Sequence, residues 1–227
     1  LLVEALTTGS MVTVLDLCEN DLPAESAQAI AEIIKCNAAL EELMLANNQL
    51  ATKGVGDILG QSLAQNSTLK RLDVSGNAER FDGMDGVGFA EGIAAGLKTN
   101  KSLSSLNVLN SCIGEQGARA MSAAWNANKT IASICGGATD LLLARKLGTD
   151  LPVICVELEH HGTLRRGDIS KNSIATEEAG KALADALATN TVLEELDVSS
   201  NIGDHEGSDG QRFAQQLVLG LKHNRTL

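Results

Sequence analysis

Apolar residues recur in a fixed order along much of the chain. In residues 40–50, leucine occupies the first, fourth, sixth and eleventh positions and asparagine the ninth. Residues 193–201 follow the same order, with valine at the sixth position. Because successive residues of a strand point to opposite faces, the alternating part predicts a short strand whose apolar side chains face inward. The asparagine carries an amide that can satisfy backbone groups where the strand turns away.

This unit is repeated along the chain at steps of 28 to 34 residues. Its copies, of which those at 103, 131 and 164 are weaker, begin at Val12, Leu40, Leu69, Leu103, Ile131, Leu164, Leu193 and Leu227. Between the copies, apolar residues such as Phe89, Ile93 and Leu97 recur at helical spacing, which predicts one helix per unit. Each helix is followed by an asparagine, such as Asn66 or Asn190, for which we expect the left-handed backbone conformation that ends many helices.

A second, longer period is also present. The pair of copies that begins at 40 and 69 recurs at 164 and 193, an offset of 124 residues. Similar insertions rich in glycine and acidic residues follow at 80–89 and 204–213. We interpret this period as duplication of a block of several repeats. The insertions lack the alternating ligands and terminal glutamate of a calcium-binding EF-hand loop, so we interpret them as surface loops that can form a second recognition edge.

Residues 139–163 depart from the pattern and form an irregular repeat. After the copy that begins at Ile131, Thr139 occupies the asparagine position, and Gly167 later occupies a leucine position. Residues 153–158 are rich in valine and isoleucine. Because this composition favours strands, we expect an extra strand or a hairpin in this segment.

A strand and a helix within 28 or 29 residues resemble the ribonuclease-inhibitor class of leucine-rich repeats, which includes Ran GTPase-activating protein, tropomodulin and NOD-like receptors. The resemblance covers the chain except roughly residues 139–163. It implies an α/β fold, a solenoid curved like a horseshoe, with a parallel β-sheet on the concave face and helices on the convex face. We expect residues 1–227 to form a single domain of about seven repeats. Because neither end shows a polar capping repeat, we expect this domain to be a segment of a longer protein.

Composition and charge narrow the function. Hydrophobic residues make up 44% of the chain but aromatic residues only 2%. A core filled by small aliphatic side chains is typical of repeats that all pack against their neighbours in the same way. The net charge of −11 argues against a nucleic-acid partner. No segment is long and apolar enough to cross a bilayer, so we expect no membrane partner. Five cysteines without a framework spacing indicate an intracellular protein, most simply a cytoplasmic one.

No combination of residues indicates catalysis. The sequence has no phosphate-binding loop, no serine nucleophile elbow and no zinc-ligand spacing. We therefore expect a protein that is not an enzyme and that uses no cofactor, metal or small-molecule substrate. We interpret His160 and His161 as polar surface residues and Trp125 as a half-buried packing residue rather than a binding anchor.

The concave face is the candidate binding surface. Adjacent strands should place Glu41 and Glu42 beside Lys70 and Arg71, and Arg165 and Arg166 beside Glu194 and Glu195. These charges are open to two interpretations, a partner-binding patch or a ladder that neutralises itself. The candidate partner-binding residues are Glu41, Glu42, Met44, Lys70, Arg71, Asp73, Asn107, Arg165, Arg166, Asp168, Glu194, Glu195 and Asp197.

One row of acids on that face admits a chemical interpretation. Asp16, Asp73, Asp168 and Asp197 recur at the same position of four strands. An acid–base pair needs two carboxylates in different environments, whereas these lie in equivalent ones. We therefore interpret the row as the ordinary residue preference of the repeat.

We expect the chain to act as a protein–protein interaction scaffold, with its concave sheet face and its insertion loops as the binding regions. One alternative is a GTPase-activating or regulatory module, which rests on analogy with Ran GTPase-activating protein. Another is a structural spacer within a large assembly.

Overall fold

The computed structural model describes residues 2–7, 9–78, 84–137, 139–144, 149–204 and 207–227. The chain divides into two compact units, Leu1–Gly136 and Gly137–Leu227. The single domain expected over residues 1–227 stays a prediction.

The first unit alternates helices with short strands. Its helices are α1 (Leu2–Thr7), α2 (Ala27–Cys36, preceded by a 3₁₀ turn at Ala24–Ser26), α3 (Lys53–Gln65), α4 (Gly86–Leu97) and α5 (Gly114–Ala127). Its strands are β1 (Val14–Asp16), β2 (Glu42–Met44), β3 (Arg71–Asp73) and β4 (Ser105–Asn107). They form a parallel sheet in the order β1-β2-β3-β4.

The second unit is built in the same way. Its elements are β5 (Asp140–Leu142), α6 (Leu151–His160), β6 (Arg166–Asp168), α7 (Glu177–Thr189), β7 (Glu195–Asp197) and α8 (Gly210–Leu221). The strands form a parallel sheet in the order β5-β6-β7. Both units therefore confirm the α/β fold with parallel strands and one helix between successive strands.

The irregular segment differs from its prediction. Residues 153–158 belong to helix α6, so the strand expected there is wrong. Pro152 lies at the start of this helix, where its fixed φ suits the first turn. Val153, Ile154 and Leu158 are buried, and packing of this apolar face overrides the strand propensity of the β-branched residues.

The copy that begins at Ile131 contributes only isolated bridges. Ser133 and Cys135 bridge to Ser105 and Asn107 of the first sheet. The second sheet begins instead at β5, a strand that the repeat pattern does not predict.

The asparagines that follow the strands link neighbouring repeats. The Asn48 amide donates to Leu17 O and Leu45 O, both at 2.9 Å, and its Oδ1 accepts from Asn20 N and Leu22 N. Asn77, in the next repeat of the first unit, and Asn201, in the second unit, make equivalent bonds. The role predicted for this asparagine is confirmed.

The asparagines that follow the helices do not adopt the predicted left-handed conformation. Asn66 has φ −79° and ψ 142°, which is extended backbone. Its Nδ2 donates to Ile34 O of the preceding helix at 2.7 Å, while its Oδ1 accepts from Thr68 N and Leu69 N. Equivalent bonds are made by Asn37, Asn100, Asn128, Asn190 and Asn224. At these positions the asparagine side chain bridges two repeats, and the backbone does not use the left-handed conformation.

His161 occupies this asparagine position after α6. Its side chain is 4% exposed, so the predicted surface role is wrong for this residue. Its Nδ1 accepts from Thr163 N at 3.1 Å, and its Nε2 lies 3.6 Å from the buried Glu157 Oε1. Burial lowers the pKa of His161, although a hydrogen bond with the Gly137 backbone acts in the opposite direction. The histidine is a structural element of the second unit.

Close helix packing depends on glycine in the duplicated block. A Cβ on Gly60 of α3 would collide with Gly92 O of α4, and a Cβ on Gly96 of α4 would collide with Gly60 O of α3. At the positions offset by 124 residues from Gly96 and Gly60, a Cβ on Gly220 of α8 would collide with Ala184 O of α7. Trp125 of α5 is 8% exposed, which confirms that it is a packing residue.

Candidate binding face

Each strand presents two residues to solvent. The middle residue of each strand is buried or half-buried, whereas the first and third residues are more exposed or lie on the open side. We call the open side of the first sheet the first-unit face; its residues are Val14, Asp16, Glu42, Met44, Arg71, Asp73, Ser105 and Asn107. The open side of the second sheet is the second-unit face; its residues are Asp140, Leu142, Arg166, Asp168, Glu195 and Asp197.

The structure divides the predicted site residues between these two faces. Glu42, Met44, Arg71, Asp73 and Asn107 lie on the first-unit face, with Glu41 and Lys70 exposed just before their strands. Arg166, Asp168, Glu195 and Asp197 lie on the second-unit face, with Arg165 and Glu194 exposed just before their strands. Thirteen predicted residues therefore form two groups, one on each sheet.

Polar side chains on the first-unit face pair across adjacent strands. Arg71 lies opposite Glu42 in the sheet register and forms an ion pair with it, as predicted. Asn107 Nδ2 donates to Asp73 Oδ2 at 3.1 Å. Between these pairs lies a shallow depression of about 140 Å³, to which Met44 contributes.

The second-unit face departs from its predicted pairing at one arginine. Arg165 Nη1 pairs with Glu194 Oε1 at 2.8 Å, as predicted. Arg166 lies opposite Glu195 in the register, but its guanidinium binds Asp140 on the other side, with Nε–Oδ1 at 2.7 Å and Nη2–Oδ2 at 2.9 Å. This bidentate pair lowers the pKa of Asp140 and raises that of Arg166.

Asp140 and Leu142 are the functional candidates that sequence reasoning missed. Leu142 is 65% exposed, although it is a large apolar side chain in a sheet. A depression of about 590 Å³ lies beside it, lined by Asp140, Leu142, Arg166, Gly167, Asp168, Glu195, Leu196 and Asp197. The signal that could have found β5 is its order of an acid followed by three leucines, which matches Glu42-Leu-Met-Leu in β2.

The aspartates at the third strand position cap the turns that follow them. Each accepts a hydrogen bond from the backbone N–H two residues later: Asp16 from Cys18, Asp73 from Ser75, Asp168 from Ser170 and Asp197 from Ser199. These bonds lower the pKa values of Asp16 and Asp197. Because all four acids have the same structural role, the geometry confirms the interpretation as a repeat preference.

The insertions are only partly within the described ranges. Asp85 caps α4 by accepting from Gly88 N at 2.8 Å, and Asp209 caps α8 by accepting from Arg212 N at 3.0 Å. Asp82 and Glu206 lie outside the described residues. Among the residues with described placement, no group of three or more histidine, cysteine or acidic side chains could hold a metal ion.

Within the described ranges, no helix is long and apolar enough to cross a membrane.

Comparisons with known proteins agree with the repeat pattern. Residues 65–78, from the end of α3 through β3, match the family described as Leucine Rich repeat. Among curated proteins, none matches the chain.

Two solved structures are similar in arrangement. One is the structure of leiomodin-1 Actin-Binding Site 2, to which the chain is 20% identical. The match covers 85% of this chain and 87% of that chain, with a TM-score of 0.42. The other is the Caenorhabditis elegans tropomodulin C-terminal domain, at 12% identity; the match covers 86% of this chain and 93% of that chain, with a TM-score of 0.37.

Proposed function

We propose that this chain, a leucine-rich-repeat protein, binds another protein through the first-unit and second-unit faces and catalyses no reaction itself. One observation carries the proposal. Parallel sheets are generally covered on both sides, yet here both sheets leave charged and apolar side chains exposed on one side. An open parallel sheet of this kind suits a surface that is covered when a partner binds.

The composition of the two faces supports a protein partner. Protein interfaces combine an apolar centre with a polar rim. Val14 is 48% exposed and Leu142 65% exposed, and each lies among charged neighbours on its sheet. The acidic net charge of −11 supports a partner other than nucleic acid, because phosphate backbones are bound by clustered basic residues.

The ion pairs on these faces leave the surface available for a partner. Arg71, Arg165 and Arg166 are each more than half exposed in their pairs. Exposed pairs of this kind contribute little to folding stability, so exchanging their contacts with those of a partner costs the fold little. The self-neutralised ladder and the binding patch are therefore compatible interpretations of the same residues.

The repeat unit and the cysteines support a proposal for the class of repeat and for the cellular compartment. A strand and a helix in 28 or 29 residues support a solenoid scaffold of the ribonuclease-inhibitor-like class. Within the described ranges, no disulfide joins any of the cysteines, which supports a reducing, intracellular compartment.

The experiment reverses charge on the binding faces without removing ion pairs. A variant with Glu42→Arg, Arg71→Glu, Arg165→Glu and Glu194→Arg swaps the members of two exposed pairs. The matched control swaps two exposed pairs on the helices, with Lys53→Asp, Asp57→Lys, Arg119→Glu and Glu115→Arg.

Affinity capture from a lysate of the source cell then compares the parent, the face variant and the helix control, with circular dichroism as the check on folding. We expect a partner protein to be captured by the parent and by the control and lost from the face variant. Equal capture by all three folded proteins, or loss from the helix control alone, would contradict binding through the sheet faces.

A further inference from the structure

The two sheets carry the same arrangement of side chains once β5 is included. In each sheet, an acid on one strand pairs with an arginine on the next, at the first strand position. An apolar residue follows the acid at the third position of its strand, and an aspartate follows the arginine. The corresponding residues are Glu42, Arg71, Met44 and Asp73 on the first-unit face and Asp140, Arg166, Leu142 and Asp168 on the second-unit face.

The block duplication does not account for this match. An offset of 124 residues relates Glu42 to Arg166 and Arg71 to Glu195, so the duplicated copies present their charges in the opposite order. The order is restored because Arg166 turns to Asp140 of β5 rather than to Glu195. The shared arrangement is thus assembled from positions that are not copies of one another.

The two depressions differ in the strand that follows the arginine-bearing strand. On the first-unit face this strand is β4, which presents Ser105 and Asn107. On the second-unit face it is β7, which presents Glu195 and Asp197. The second depression is also the larger, at about 590 Å³ against about 140 Å³.

Charge in the second depression is unevenly balanced. Its lining holds four carboxylates and one guanidinium, and that guanidinium is bound to Asp140. Asp168, Glu195 and Asp197 therefore present negative charge beside the exposed Leu142. Hydrogen bonds from Ser199, and to a smaller extent the positive charge of Lys171, lower the pKa of Asp197.

We propose that the second-unit depression binds a basic segment of a partner protein. The segment places an apolar side chain against Leu142 and a lysine or arginine among Asp168, Glu195 and Asp197. The first-unit depression is a weaker site for the same kind of segment, since the exposed residues of β4, Ser105 and Asn107, carry no charge. This inference rests on the proposed function, because it assigns the chemistry of the partner at one of the two faces.

The two units provide matched variants for the test. Glu195→Ser with Asp197→Asn gives β7 the two exposed residues of β4. Asn107 shows that asparagine is compatible with this position, because its Oδ1 accepts from Leu109 N at 3.3 Å in the same kind of turn. The reciprocal variant is Ser105→Glu with Asn107→Asp. The charge control is Glu178→Gln with Asp185→Asn, two exposed acids of α7.

The probes are fluorescein-labelled peptides that alternate leucine with lysine, with glutamate or with serine, titrated with the whole chain and followed by fluorescence anisotropy. We expect the lysine peptide to bind more tightly than the other two. Glu195→Ser with Asp197→Asn should weaken it by about three- to ten-fold, whereas the reciprocal variant strengthens it and the α7 control leaves it unchanged. Salt near 1 M, where the Debye length is about 3 Å, should weaken binding to the parent.

The proposal is overturned if the lysine peptide binds no better than the glutamate peptide, or if the α7 control loses as much affinity as the second-unit variant. If the peptides show no preference while the face variant described above still loses its captured protein, only the basic chemistry of the segment is wrong. If the captured protein also persists on the face variant, the proposed function fails with it.

Discussion

The guanidinium of Arg166 binds both carboxylate oxygens of Asp140, at 2.7 and 2.9 Å, across two adjacent strands of the second sheet. The pair joins a residue within the regular repeats to one outside them. Arg166 lies opposite Glu195 in the sheet register, but its guanidinium hydrogen-bonds to Asp140 instead. A local interruption of the repeat thereby determines the charge pattern of the second-unit face.

Asn100 should be required for stability because it bridges two repeats. Its side chain is 4% exposed, and its Nδ2 donates to Leu63 O at 2.7 Å and Asn66 O at 3.1 Å. Asn100→Ala removes these bonds and takes from the backbone N–H groups of Ser102 and Leu103 their acceptor, Asn100 Oδ1. The loss should lower the free energy of unfolding by about 2 kcal/mol or more. Urea unfolding measures this, with the exposed Asn126→Ala in α5 as the control.

Asn100→Gly separates the bridging role from a backbone role. Glycine suits a left-handed helix end at least as well as asparagine but cannot bridge the repeats. We predict that Asn100→Gly destabilises the protein at least as much as Asn100→Ala. Wild-type stability of the glycine variant would contradict the bridging role.

Of two glycines in α3, one should tolerate alanine and the other should not. At Gly60 a Cβ would collide with Gly92 O, whereas at Gly54 nothing lies within 4 Å. Gly60→Ala should cost about 1–3 kcal/mol of unfolding free energy through overpacking. Gly54→Ala should be neutral or stabilise by up to about 1 kcal/mol through helix propensity. Thermal and urea unfolding of both variants test this, and a tolerated Gly60→Ala would show that α3 and α4 can separate.

His161 should make the stability of the second unit depend on pH. Its pKa is 6.5 in the unfolded chain and lower in the folded protein, because burial disfavours the imidazolium. Between these two values the unfolded chain binds more protons, so the free energy of unfolding should fall as the pH decreases below about 6.5. At higher pH the contribution is fully present.

Unfolding by urea at a series of pH values measures this dependence. His161→Asn should remove the part of the slope that comes from this residue, whereas His223→Asn, at an exposed position, should retain it. A slope that survives His161→Asn unchanged would assign the pH dependence to other groups.

Regular features of the fold follow from local sequence, whereas its exceptions depend on contacts between repeats. The order in residues 40–50 predicts β2, its inward Leu43 and the bridging Asn48, because each follows from side-chain direction and hydrogen-bonding capacity. The left-handed prediction for Asn66 fails because the partner of its amide, Ile34 O, lies in another repeat, 32 residues away.

The candidate site was predictable where the repeats are regular. The pair of Arg71 with Glu42 follows from strand register alone. The partner of Arg166 does not, because Asp140 belongs to a strand that lacks the full leucine pattern and falls out of step with the repeats before it. The exposed Leu142 was missed for the same reason.

Binding through the open sides of the sheets is tested most directly by removing their apolar side chains. The measurement compares the dissociation constant of the captured partner for the parent, for Met44→Ser with Leu142→Ser, and for the control Val218→Ser with Leu219→Ser, which alters two half-exposed residues of α8. We predict that the face variant binds about ten-fold or more weakly, since truncation of the few side chains that anchor the centre of an interface costs over 1 kcal/mol each. The α8 control should bind like the parent. Unchanged affinity of the face variant, with weaker binding by the α8 control, would contradict binding through the sheets and place the partner on the helices.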